Sequence, residues 1–296
     1  ETVQRVLRSQ YVLRDSTHVR DMLWARELVR SAIEGSASEI DQVVDLFYFV
    51  VNTVQIVPVQ SLLPFGPFET VFYGQGTEVD RAWAFACLLK QLRIPSVVLV
   101  NETPAGDDES SRVVTEQDTG QTKPGDAATD NQPRSVIVGV LLNDGLYLFD
   151  AGLGLPIPGP DDVAAAGLIR KPATLAQALA DPSLLQKLSQ SDTEPYSVTV
   201  DRLKNSRPLI IGDSTLWSRR MEGLQNGMAG EITASVFEPL VSQGDFIGSI
   251  ELVSSHLTDL LPSATVGVWD YPEQQREARE TVAGDRDQSA LLAAFN

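Results

Sequence analysis

Few residues in this 296-residue chain could do chemistry, and the densest group opens a helix. Glu78, Asp80 and Arg81 follow directly on Thr77. Thr77 is a good N-cap, and Asp80, three residues on, completes a capping-box pattern. The helix dipole favours the ionised form of a carboxylate placed there, so Glu78 is a poor proton donor and an ordinary, stabilising helix opener. A carboxylate pair for hydrolysis or metal binding needs one acid that holds its proton, and no neighbour in the sequence supplies the cause. Cys87 lies among apolar residues in the middle of the same helix and reads as a small core residue. A single cysteine excludes an internal disulfide and a cysteine-rich metal centre, and two histidines leave little for a histidine-based one. No cofactor and no metal are expected. His18 sits just before the first predicted helix and reads as a surface or capping residue; His256 reads as a helix-face residue.

The elements that would position these side chains follow from hydrophobic periodicity. Every residue from Ala82 to Leu89 is apolar, so this helix has no wet face along its middle and must lie inside the protein. Pro95 stops it, and Val97 to Val100 form a β-branched run suited to an interior strand. Upstream, Val19, Met22, Leu23, Val29, Ala32 and Ile33 keep helical spacing up to Gly35. Ser38 with Asp41 repeats the capping pattern before a second helix with the apolar stripe Ile40, Val43, Val44, Phe47, Tyr48 and Val51. Between them and Gly76, Val57 to Tyr73 is broken by Pro58, Pro64, Gly66 and Pro67 and rich in aromatics. It reads as a loop over a core edge that could wall a cleft, with Tyr73 next to the Gly76 turn.

The stretch from Gly76 to Val100 resembles the core of the transglutaminase-like superfamily, relatives of the papain-type cysteine proteases. In that family a Gly-rich turn leads to a nucleophilic Cys at the first turn of a buried helix. The helix ends in a Leu-Leu-Arg-x-Leu-Gly-Ile-Pro pattern, matched here by Leu88-Leu89-Lys90-Gln91-Leu92-Arg93-Ile94-Pro95. Counting back from Pro95 puts the family's Cys position at Glu78. Ser135 to Asp150, with its Asn143-Asp144-Gly145 turn, resembles the hairpin that carries the family's His and Asp. The Asp position falls on Asp150 and the His position on Ser135. The resemblance covers about residues 19–155. It implies an α+β fold with N-terminal helices and a buried central helix packed on an antiparallel sheet. It also implies that Glu78, Ser135 and Asp150 converge within roughly 10 Å, the range over which residues couple directly. Two acids so close need a cation, so Arg81 or another base is expected within salt-bridge reach of Glu78 or Asp150. With Glu78 and Ser135 in place of nucleophile and base, the cysteine chemistry is lost. The resulting expectation is a binding or scaffolding protein that uses the former active-site cleft, lined by Glu78, Asp80, Arg81, Ser135, Asp150 and Tyr73, for a peptide, protein or small molecule. The alternative is a hydrolase using Glu78, Asp80 and Asp150.

The remaining chain divides by composition. Residues 101–134 hold eight acids against three bases, net −5, with almost no large apolar residues. Such a segment cannot bury enough surface to order itself, so 102–133 reads as a solvated, mobile insertion. Gly152-x-Gly154 after a strand lacks the third glycine and following helix of a dinucleotide loop, and 151–160 is too rich in Gly and Pro for regular structure. Beyond it, Asp161 to Ser191 reads as short helices, Tyr196 to Leu203 and Arg207 to Ile211 as strands. A helix runs to about Met228, Ile250 to Leu261 is helical, Val266 to Trp269 is a strand, and a charged helix starts at Glu273. The division is thus a core over 1–160 and an α/β extension or lobe over 161–296. The net charge of −17 disfavours nucleic acid and anionic membrane surfaces as partners. No apolar run approaches the ~18 residues of a membrane-spanning helix. The chain begins at Glu1 rather than Met, compatible with a processed form that has lost a signal peptide.

Overall fold

The buried central helix is α5 in chain order, and the other elements pack around it. The computed structural model describes residues 2–58, 66–101, 136–143, 145–162, 168–189, 191, 194–228, 234–242 and 248–279. The helices α1 (Thr2–Leu7), α2 (Leu13–Ala32) and α3 (Glu39–Thr53) lead to β1 (Gln55–Ile56), α4 (Pro67–Tyr73), β2 (Gln75–Gly76) and α5 (Glu78–Gln91). Thr77 caps α5 with its hydroxyl, and every residue from Asp80 to Leu89 is buried. The apolar stripe of α3 packs on it: Val43, Val44, Leu46, Phe47 and Val50 have no exposed surface. The rings of Phe47, Phe85 and Phe149 meet pairwise with centroids 5.1–5.4 Å apart.

After α5 come β3 (Ser96–Asn101), β4 (Ile137–Leu142), β5 (Gly145–Asp150) and β6 (Leu155–Pro156). The chain continues through α6 (Leu175–Ala180), α7 (Ser183–Gln186), α8 (Val200–Lys204), β7 (Ser206–Ile211), α9 (Arg219–Gly227), α10 (Ser249–Leu257) and β8 (Gly267–Trp269). A last helix, α11, covers 271–279. The strands β3 to β8 form one mixed sheet in the order β6-β5-β4-β3-β7-β8. All neighbours are antiparallel except β7 and β8. The C-terminal half therefore supplies β7 and β8 to the sheet built by the first half. Strand alternation covers both faces. Val98, Val138 and Val140 point into the core shared with α2, α3 and α5, while Val97, Leu99, Ile137 and Leu141 point into one shared with α6, α7, α8 and α10. The molecule is an α+β protein in which one mixed sheet lies between two helical layers. Among the described residues, no helix is long and apolar enough to cross a membrane.

Four expectations are corrected. The stretch Val57 to Tyr73 holds a helix: Gly66 is the N-cap of α4, Pro67 its N1 residue, where a missing N–H costs nothing, and Glu69 bonds back to the Gly66 N–H. Residues 196–203 are not a strand. Thr199 caps α8 by accepting from the Arg202 N–H, and that cap outweighs the alternation of Val198 and Val200. The Gly- and Pro-rich 151–160 includes β6, where Pro156 is tolerated at the sheet edge. Finally, α2 starts at Leu13, so His18 lies inside it and only 1% of its surface is exposed. The acidic insertion 102–133, Ser135 and Asp144 lie outside the described residues.

Candidate functional site

Asp80 closes the capping box that starts α5. Its Oδ2 accepts from the Thr77 N–H at 2.9 Å and the Thr77 hydroxyl at 2.8 Å, while Oδ1 accepts from the Tyr271 hydroxyl at 2.6 Å. The Tyr271 ring stacks on Trp269 at 5.5 Å and meets the edge of Trp83 at 6.0 Å, so α11 is pinned to the head of α5. Burial and the Asp80 charge push the Tyr271 phenol far up, which keeps it a proton donor. Only 5% of Asp80 is exposed, and both its oxygens are engaged by the fold.

Arg81, one turn into the helix, turns its guanidinium away from water. It donates to the Ala151 carbonyl at 2.9 Å and to the Val54 carbonyl at 2.6 Å. Val54 is the C-cap of α3, the negative end of that helix, and a cation is favoured there. Gly154, at φ 76°, leaves the space: a Cβ there would sit 3.3 Å from Arg81 Nη1. Burial lowers the Arg81 guanidinium from its ordinary value, opposed first by the charge of Asp150 and then by that of Glu78. Arg81 is thus flanked by both acids, but it makes no ion pair with either. The expected salt bridge is replaced by two carbonyl bonds, because the orphan carbonyls after α3 and β5 lie nearer the guanidinium.

Asp150 ends β5 and is wholly buried. Its Oδ1 accepts from the Leu153 N–H at 2.8 Å and its Oδ2 from the Tyr196 hydroxyl at 2.5 Å. Asp150 pairs with Ile137 across the hairpin, and Ala151 N–H donates to the Val136 carbonyl at 2.9 Å. Ser135 itself lies outside the described residues. Of the other candidates, Glu78 is half-buried at the first position of α5, and Tyr73 ends α4 with 56% of its surface exposed. Cys87 is a core residue whose thiol burial pushes up to about 12. His256 is exposed on α10. Among the described residues no group of three or more His, Cys, Asp or Glu could hold a metal.

Sequence reasoning missed a second set of polar residues. Arg220 of α9 grips buried Asp15 of α2 with two bonds, at 3.0 and 2.9 Å, and donates to the carbonyls of Arg5 and Arg8. Glu273 accepts from Arg5 at 2.7 Å, Arg14 at 2.5 Å and the Ser214 hydroxyl at 3.0 Å. Burial raises its carboxyl, but the hydrogen bond and charge of Arg14 outweigh this and hold it below the usual range. Arg276 bonds Asp213 at 2.8 Å, and Arg279 grips Glu69 with two bonds. These pairs span 59 to 268 positions of sequence, so no local pattern marks them. No family model, curated protein or solved structure matches the chain.

Proposed function

We propose that this chain is a non-catalytic protein of transglutaminase-like architecture that acts by binding. Several observations support the architecture. The Thr77-capped helix is buried through its middle, a strand follows Pro95, and a hairpin ends at Asp150 with Arg81 between the two elements. The observation that carries the loss of catalysis is the state of Asp150. It is wholly buried, and each of its oxygens accepts a hydrogen bond from the protein itself. A group that orients a catalytic base needs a base in reach of substrate, and the residue at the nucleophile position is Glu78. Asp80 is likewise spent on Thr77 and Tyr271, which argues against a hydrolase built on Glu78, Asp80 and Asp150. The rim of the former cleft, half-buried Glu78 with exposed Tyr73, remains for a peptide, protein or small-molecule ligand.

The test is incubation with a glutamine-donor peptide and a primary amine, and separately with a thiol-protease substrate. No turnover above buffer is expected, with or without alkylation of the thiol. Crosslinking or cleavage that disappears when Cys87 is replaced by Ala would overturn the reading.

A further inference from the structure

A cleft of about 610 Å³ opens between the start of α2, the Gly66-Pro67 corner, the turn before α9 and helix α11. Its walls carry six arginines: Arg5, Arg8, Arg14, Arg220, Arg276 and Arg279. The whole chain has only 23 Lys and Arg against 40 acids, so this concentration runs against the composition. Asp21 is the single acid among the described lining residues. Asp21 is itself paired with Arg20 at 2.6 Å, which offsets its charge toward an incoming anion.

Most of these guanidinium groups are held in place from behind. Glu273 fixes Arg5 and Arg14, Asp15 fixes Arg220, Asp213 fixes Arg276 and Glu69 fixes Arg279. A guanidinium has five N–H donors in a rigid fork, more than one carboxylate can take; Arg220 spends its others on the Arg5 and Arg8 carbonyls, so the donors left for a ligand lie on the other arginines of the wall. The buttressing acids therefore lower the entropy that an anion would have to remove from the side chains. Arg8 differs: it is exposed, and no acid among the described residues pairs with it. At the wall, Thr215 is 1% exposed, and its hydroxyl has no hydrogen-bond partner within the described protein. Val12, Leu13 and Pro67 add an apolar strip for the organic part of a ligand.

We infer that this cleft binds a small, multiply charged phosphate-bearing molecule, met by Arg8, which no acid among the described residues pairs with. The inference does not depend on the transglutaminase-like reading, since none of these residues belongs to that site.

Isothermal calorimetry on the full chain, with inorganic pyrophosphate as probe and citrate at matched ionic strength as comparison, tests it. Saturable one-to-one pyrophosphate binding is expected, at least tenfold tighter than citrate. Arg8→Ala should weaken it about tenfold. Leu13→Glu should weaken it similarly; Leu13 is 83% exposed at the first position of α2, where an acid suits the helix dipole, so this variant keeps the fold. Absence of saturable binding, binding unchanged in both variants, or citrate binding as tightly would each overturn the inference.

Discussion

His18 shows what burial does to a single titratable side chain. Its ring bonds the Val236 carbonyl through Nε2 at 2.9 Å, and Nδ1 stands 3.8 Å from Asp213 without a hydrogen-bond partner. Burial lowers its proton affinity more than Asp213 and Asp15 restore it, with Arg276 acting in the same direction as burial. The folded histidine stays neutral where the unfolded one, with a value near 6.5, takes up a proton. The unfolded state then binds more protons, so stability falls as pH drops below that point, by up to about 1.4 kcal/mol per pH unit. Asp213 acts in a separate window. Burial raises it, but Arg276 and the Leu216 and Thr215 N–H groups hold it below its ordinary 3.8, so its contribution is lost only at lower pH. Urea titrations between pH 7 and 5 should show this decline, and His18→Gln should flatten it. A slope unchanged by that substitution would contradict the burial argument. Nothing near His18 in sequence announces this, because its partners Val236 and Asp213 are about 200 positions away. Thr77 and Asp80 were legible for the opposite reason: a capping box is written within four residues. Tyr196 and Tyr271, which complete the bonding of Asp150 and Asp80, were not.

At the scale of elements, the end of α5 carries a local conflict. Arg93 adopts φ 57°, a left-handed conformation, and the Arg93 and Ile94 N–H groups bond back to Lys90 and Leu89 carbonyls. The resembled family pattern has Gly at this position. A non-glycine residue there costs roughly 1–2 kcal/mol, and glycine returns roughly 0.5–1 kcal/mol through its freer unfolded chain. Arg93→Gly is therefore expected to stabilise the protein by up to about 1 kcal/mol, read as a higher denaturation midpoint at unchanged m-value. A loss of stability would mean that the Arg93 side chain makes a contribution its exposure conceals. Helices and strands with strong periodicity, α3, α5, β3 and β7, were legible within a residue or two. Two of the misread elements, α4 and α8, are short and set by caps rather than periodicity. The Pro67 and Glu69 signal for α4 was present but overshadowed by the surrounding prolines, and the Thr199 cap of α8 sits inside an alternating run.

For the whole molecule, the Arg81 node joins the end of α3, the head of α5 and the turn after β5, which together position α3 and α5 against the sheet. The pairing of β7 with β3 and of β8 with β7 had no sequence signal beyond strand–helix alternation, because register between strands so far apart in sequence is fixed by packing alone. The six arginines of the cleft come from three separate stretches of chain and were illegible for the same reason. If the polar residues at the head of α5 hold the fold rather than perform chemistry, stability must depend on them unequally. Equilibrium urea unfolding of Arg81→Met and Glu78→Gln measures this directly. Arg81→Met should lose about 3–5 kcal/mol, since it strands two buried carbonyls and leaves Asp150 without the cation beside it. Glu78→Gln, at a half-buried position without a hydrogen-bond partner among the described residues, should change stability by no more than about 0.5 kcal/mol. Near-native stability of Arg81→Met, or an equal loss in both variants, would contradict a structural role for the node.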